Sequence, residues 1–294
     1  MITLITFHGG YPMTVKLNCI IFAISALVGI AMRSLMVFFT IDPASGFVMQ
    51  EYFLPNLFIT ILLGIACIAG FATALLIKTH IPLEVKLNNL PLSLSLTWVA
   101  LGIGYETFFS DILINVSGFQ IAVHSVLTLL SIAALVFIAV CKLTNMPYQP
   151  IISLVPVAFW VMRLIIVFTG FSTISTISDT IIETATMCLT LAVFLFYAKI
   201  ECYQSTKNYK LFFATALACS TVSLVASVPR AIILIPAKIC EALLKLFPDA
   251  AFPNTLGQFA EQNLHPSAVP CTTGIFVAIF STIFAYSLIS KIKD

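Results

Sequence analysis

Charge is what this chain has least of. Only 9% of its 294 residues are Asp, Glu, Lys or Arg, against 60% hydrophobic, and the mean hydropathy is +1.09. That leaves too little polar surface to cover a soluble globule of this length. Catalytic signatures are missing too. There is no H-E-x-x-H, G-x-S-x-G, P-loop or G-x-G-x-x-G, so zinc-protease, serine-hydrolase and nucleotide-binding chemistry have no local support. Gly102-Ile103-Gly104 is a lone G-x-G inside an apolar run and reads as helix packing. No two of the eight cysteines stand in C-x-x-C spacing, which removes the usual metal or redox pair. The Lys and Arg residues are scattered and offer no basic patch to nucleic acid. No catalytic residue, metal or cofactor is expected, and an intramembrane enzyme is the disfavoured reading.

Long apolar runs are what the sequence has instead. A helix needs about 20 apolar residues to cross about 30 Å of hydrocarbon, and a barrel strand would alternate over about 10. Runs of that helical kind fall at 17–39, 55–77, 90–109, 120–141, 150–170, 176–198, 210–230 and 270–290. The expectation is an all-α integral membrane bundle of eight spans over residues 17–294, preceded by an N-terminal tail, 1–16. The tail lacks the basic region and cleavage site of a signal peptide, and Met13 stands as an alternative start. Residues 231–269 read as a long extracytoplasmic loop. Its segment AIILIPAKICEALLKLF, broken by Pro236 and carrying Lys238, Glu241 and Lys245 at helical spacing, reads as an interfacial amphipathic helix. Cys240 and Cys271 share that loop and are a candidate pair if the compartment is oxidising.

Loop charges set the orientation. With the N-terminus inside, Lys16, Lys78, Lys86, Lys142, Lys199, Lys207, Lys210, Lys291 and Lys293 all fall on the cytoplasmic side. The outer side holds only Lys238 and Lys245 in the long loop, with Arg230 at its edge. This is a positive-inside bias, so both termini are expected in the cytoplasm.

The few charges inside the spans need a reason, because one near the bilayer centre costs roughly 2.5–3.5 kcal/mol even on the lenient insertion scale. Arg33, Glu106, His124, Arg163, Asp179, Glu183 and Arg230 all fall in the outer half of their spans on this topology. The helical period adds polar neighbours on the same faces. Asp179, Glu183, Thr186 and Thr190 share one face, as do Ser220, Ser223, Ser227 and Arg230, and His124, Thr128 and Ser131. Arg163, across a short turn from Asp179 and Glu183, and Arg33, at similar depth, allow a neutral two-by-two arrangement with those carboxylates. Serine and threonine taken singly have a plainer explanation, since they bond to carbonyls of their own helix and let helices pack closely.

Two functions fit. The first is solute binding or secondary transport through an outward polar chamber lined by those seven residues, acting on a small solute or ion. The second is a non-transporting scaffold or sensor, whose charge network is structural and which contacts partner membrane subunits. The bilayer is a partner in both. Met32, Arg33, Val37 and Phe38 repeat as Met162, Arg163, Val167 and Phe168 at an offset of 130, which suggests a four-plus-four duplication.

The stretch Phe159-Trp160, Arg163-Leu164-Ile165, Ser178-Asp179, Glu183 and Phe194-Leu195-Phe196 to Ala198-Lys199 resembles uncharacterised polytopic membrane proteins of Gram-positive bacteria. The likeness covers residues 156–200. It implies a multi-pass protein of the cell membrane and no particular activity.

Overall fold

The computed structural model describes residues 13–39, 50–75, 89–109, 117–170, 177–203, 206–246 and 271–289. Among them are eight α-helices and no strand. They are α1 (Met13–Phe39), α2 (Phe53–Leu75), α3 (Asn89–Phe109), α4 (Gly118–Thr144), α5 (Val155–Gly170), α6 (Ile177–Cys202), α7 (Thr206–Leu246) and α8 (Cys271–Ile289). Five helical stretches are long and apolar enough to cross a membrane: Cys19–Met36, Gly118–Thr144, Pro150–Phe168, Ile182–Cys202 and Asn208–Ala237. The protein is thus an all-helical chain with several membrane-span candidates.

Local chemistry explains the boundaries that are sharpest. Ser117 caps α4 in a reciprocal capping box with Gln120, and Asn145 closes the same helix in the left-handed region at φ 55°. A short 3-10 turn, Pro150–Leu154, then leads into α5.

α7 departs from expectation. Span seven was expected to end near Arg230, with a loop beyond it, yet the helix runs on to Leu246 through Pro229 and Pro236. Each proline removes one backbone hydrogen bond, but apolar neighbours and packed helices tolerate such a gap in a membrane bundle. The segment expected to be a separate amphipathic helix is the last part of α7. Cys240, Cys271 and the chain between Leu246 and Cys271 lie outside the side chains and segments described, as does the tail before Met13.

α7 is also the central helix. Of its apolar stretch 78% is buried, against 28–44% for the other four, and it packs on α8, α6, α1 and α2. Three glycines set how closely the neighbours approach. A Cβ on Gly29 of α1 would come within 2.6 Å of Val225 on α7. One on Gly102 of α3 would come within 2.7 Å of Phe276 and 3.3 Å of the Thr273 backbone on α8, and one on Gly274 of α8 would collide with Ser227 on α7. Close backbone approach through small residues is the usual way membrane helices gain contact, since lipid gives them no hydrophobic drive.

Those contacts fix relative direction. Gly102 meets Phe276 and Glu106 meets Thr273, so α3 and α8 run antiparallel. Ser227 beside Gly274 and Phe212 beside Phe284 give the same relation for α7 and α8. Glu183 with Arg230 and Thr190 with Cys219 do so for α6 and α7.

Candidate functional site

The buried charges gather at one end of the bundle. Arg33, Glu106, His124, Arg163, Glu183 and Arg230 come from six different helices and are all buried, with exposures of 1–8%. Asp179 lies in the first turn of α6, and its side chain is outside those described. All three arginines in the sequence are in this set, whereas every other cation is a lysine. Guanidinium is more weakly hydrated than ammonium and offers a planar fork of donors, which suits it to buried carboxylate partners.

Two networks are formed among the described residues, and they add partners that the expected arrangement did not include. Arg163 donates to Glu106 at 3.1 Å, and the expected contact with Asp179 lies outside the described side chains. Glu106 also accepts the Thr273 N–H at 3.0 Å and the Thr272 hydroxyl at 3.4 Å. A carboxylate from α3 thereby caps the first turn of α8, where backbone donors have no partner within their own helix and the dipole favours negative charge. The Arg163 guanidinium lies over Trp160 and Phe159, and His124 is 5.5 Å from the Phe159 ring. His124 Nε2 is buried with no hydrogen-bond partner among the described residues.

The second network joins α1, α6 and α7. Arg230 is 3.3 Å from Glu183, and Arg33 lies within electrostatic reach of both. Gly29, one turn before Arg33, lets α1 pack closely on Val225 of α7. Glu183 thus sits with Arg230 and Arg33, while Arg163 belongs to the other network. The short turn between α5 and α6 made Arg163 look closest in sequence. Antiparallel packing of α6 on α7 brought Arg230 closer in space.

The hydroxyls divide in the same way. Thr128, Thr186 and Thr190 each bond to the carbonyl four residues back, and Ser220 to the one three back. This satisfies them within their own helices. Ser131 and Ser227 are buried without a partner among the described residues. Around Cys219, Thr190 lies at 3.7 Å and Ser223 at 3.6 Å, so α6 and α7 share a polar seam one to three turns inward from Arg230.

Below the seam lies an aromatic block. Phe194 stacks on Phe280 at 5.3 Å and 6°, with Trp160 on its other side and Tyr197, Phe284 and Phe212 beneath. Beyond it, at the opposite end of the bundle, is a cluster that sequence reasoning did not single out. Lys142 donates to both oxygens of Glu201 at 2.8 and 2.9 Å, and the Tyr148 hydroxyl donates to the same carboxylate at 2.8 Å. Lys142 had counted only toward orientation. Nothing in the sequence links positions 59 apart, although Glu201 was a lone acid in a lysine-rich region.

One face of α6 carries the whole series. Glu183, Thr186, Thr190, Phe194, Tyr197 and Glu201 step by three or four and are all buried or half-buried. At 1.5 Å per residue the two carboxylates stand about 27 Å apart, close to the thickness of a hydrocarbon core.

Comparison with protein-family models, with curated proteins and with solved structures finds no match. The geometry therefore has to carry the functional reading by itself.

Proposed function

We propose that this is a solute-binding or secondary-transport protein of the bacterial cell membrane, with eight spans and both termini cytoplasmic. Its solute site is the Arg33–Glu183–Arg230 cluster at the outer end. The observation that carries this reading is the buried face of α6, which passes from a charged site through hydroxyls to an aromatic block and a second ion pair. Transporters place their sites between helices and expose them to one side at a time. In this arrangement the aromatic block and the Lys142–Glu201 pair close the inner side. Lys142 and Lys199 at that end agree with a cytoplasmic assignment. Adjacent hairpins α1–α2, α3–α4, α5–α6 and α7–α8 all pack as neighbours, which is compatible with a four-plus-four duplication.

The scaffold reading retains one specific support. Glu106 has a cation and two hydroxyl or backbone donors, and with Arg163 it ties α3, α5 and α8 together. We assign that network to architecture.

Cysteine labelling separates the two readings. In a chain freed of its native cysteines, Ser223→Cys and Ser227→Cys should react with a membrane-impermeant maleimide faster than the lipid-facing Val161→Cys. If both stay unlabelled, and Glu183→Gln leaves folding yield and every binding measurement unchanged, the scaffold reading replaces the transport one.

A further inference from the structure

We propose that the end of the bundle opposite the buried arginines carries a docking surface for the headgroup of an anionic phospholipid, formed by Lys199, Tyr203 and Lys210 where α6 meets α7. It lies at the other end of α6 from the proposed solute site. Two of the membrane-span candidates, Ile182–Cys202 and Asn208–Ala237, end at this connection. Lys199, Tyr203 and Lys210 therefore all stand within one turn of a span end, at the level where headgroup phosphates lie. Hydrogen bonds to the backbone hold the connection together. The Tyr203 N–H donates to the Lys199 carbonyl at 2.8 Å, and the Asn208 side-chain amide donates to the Tyr203 carbonyl at 3.0 Å. Tyr203 is thus fixed between the last turn of α6 and the start of α7, and it is 72% exposed.

Charge selects the partner. Glu201 is the only acid between Lys199 and Lys210, and its carboxylate already accepts from Lys142 and from the Tyr148 hydroxyl. The first turn of α7 has no acid and adds Lys207. Four lysines, at 142, 199, 207 and 210, thus stand against one glutamate, and this end keeps a positive surplus. Lys199 is exposed, with Nζ 5.4 Å from the Phe196 ring, so its stem covers apolar surface while the ammonium stays accessible. An exposed tyrosine beside lysines suits a membrane–water boundary, where the ring meets acyl chains and the hydroxyl meets headgroups. A phosphatidylcholine headgroup has no net charge and gains little from the surplus, whereas an anionic headgroup neutralises it. At the opposite end the arginines are only 2–5% exposed, so positive charge there faces the protein interior.

The test titrates the purified full chain in detergent with phosphatidylglycerol or phosphatidylcholine and reads bound lipid by native mass spectrometry. Phosphatidylglycerol should bind the more tightly. Each lysine near an anionic surface is worth about fivefold in affinity, so Lys199→Gln with Lys210→Gln should weaken phosphatidylglycerol binding about thirtyfold and leave phosphatidylcholine unchanged. Lys199→Arg with Lys210→Arg, which keeps both charges, should hold the affinity and guards against a misfolded Gln variant. Lys238→Gln with Lys245→Gln removes the same charge from the far part of α7 and should leave phosphatidylglycerol binding intact. Equal affinity for the two lipids overturns the proposal. An equal loss in both double-Gln variants also overturns it, since the effect would then be one of net charge alone. Displacement of phosphatidylglycerol by an equal concentration of glycerol 1-phosphate assigns the surface to a soluble phosphate and overturns the lipid. The labelling of Ser223→Cys and Ser227→Cys is independent of these results, so the solute site stands or falls separately.

Discussion

Glu106 accepts the backbone N–H of Thr273 at 3.0 Å, across 167 positions of the chain. The same carboxylate holds Arg163, so one acidic side chain fixes the start of α8 and the outer part of α5 against α3. Removing one partner of a buried pair typically costs about 3–5 kcal/mol, because the other charge is left uncompensated. Glu106→Ala should therefore lower unfolding stability in detergent by about that amount. The double variant Glu106→Leu with Arg163→Met should be more stable than either single variant, as measured by denaturant titration. A double variant less stable than both would contradict an architectural role.

Gly102→Ala tests the same joint by sterics. Its new Cβ would stand 2.7 Å from the Phe276 ring and 3.3 Å from the Thr273 backbone, so α8 has to move away from α3. Overpacking of this kind costs about 1–3 kcal/mol. Thermal unfolding should fall accordingly, and Phe276→Leu in the same chain should recover part of the loss.

The inner ion pair makes an alkaline prediction. Burial raises the Tyr148 hydroxyl above its ordinary value of 10.0, and the Glu201 carboxylate adds to the rise. The folded state therefore keeps a proton that the unfolded chain loses, so the contribution is complete below pH 10 and declines as pH rises beyond it. One pH unit above that value the loss is about 1 kcal/mol. Tyr148→Phe should flatten the alkaline limb of a stability profile while lowering stability at neutral pH by about 1.5–3 kcal/mol for the lost bond to a charged acceptor.

Continuity of α7 has its own consequence. Ile232 and Ile235 are exposed on a helix that continues past Arg230, where the sequence suggested an outer loop. Cysteines at these two positions should resist an impermeant maleimide, as lipid-facing residues do. Fast labelling of both would place them in water and restore the loop.

Composition and the length of its apolar runs determined that this chain is helical and suited to a membrane, because a residue's transfer into lipid depends little on its distant neighbours. The 3.6-residue period also determined which faces turn inward. Glu183, Thr186 and Thr190 on α6, Ser223, Ser227 and Arg230 on α7, and His124, Thr128 and Ser131 on α4 are all buried. Only tertiary structure decided which charge meets which. Arg163 was nearest to Glu183 along the chain, yet α5 presents it to Glu106 while α7 brings Arg230 to Glu183. Partners 57 residues apart, such as Glu106 and Arg163, leave no local periodicity to read. The same holds for the end of α7. A proline signals a break by its missing N–H, and only the surrounding helices decide that the helix continues.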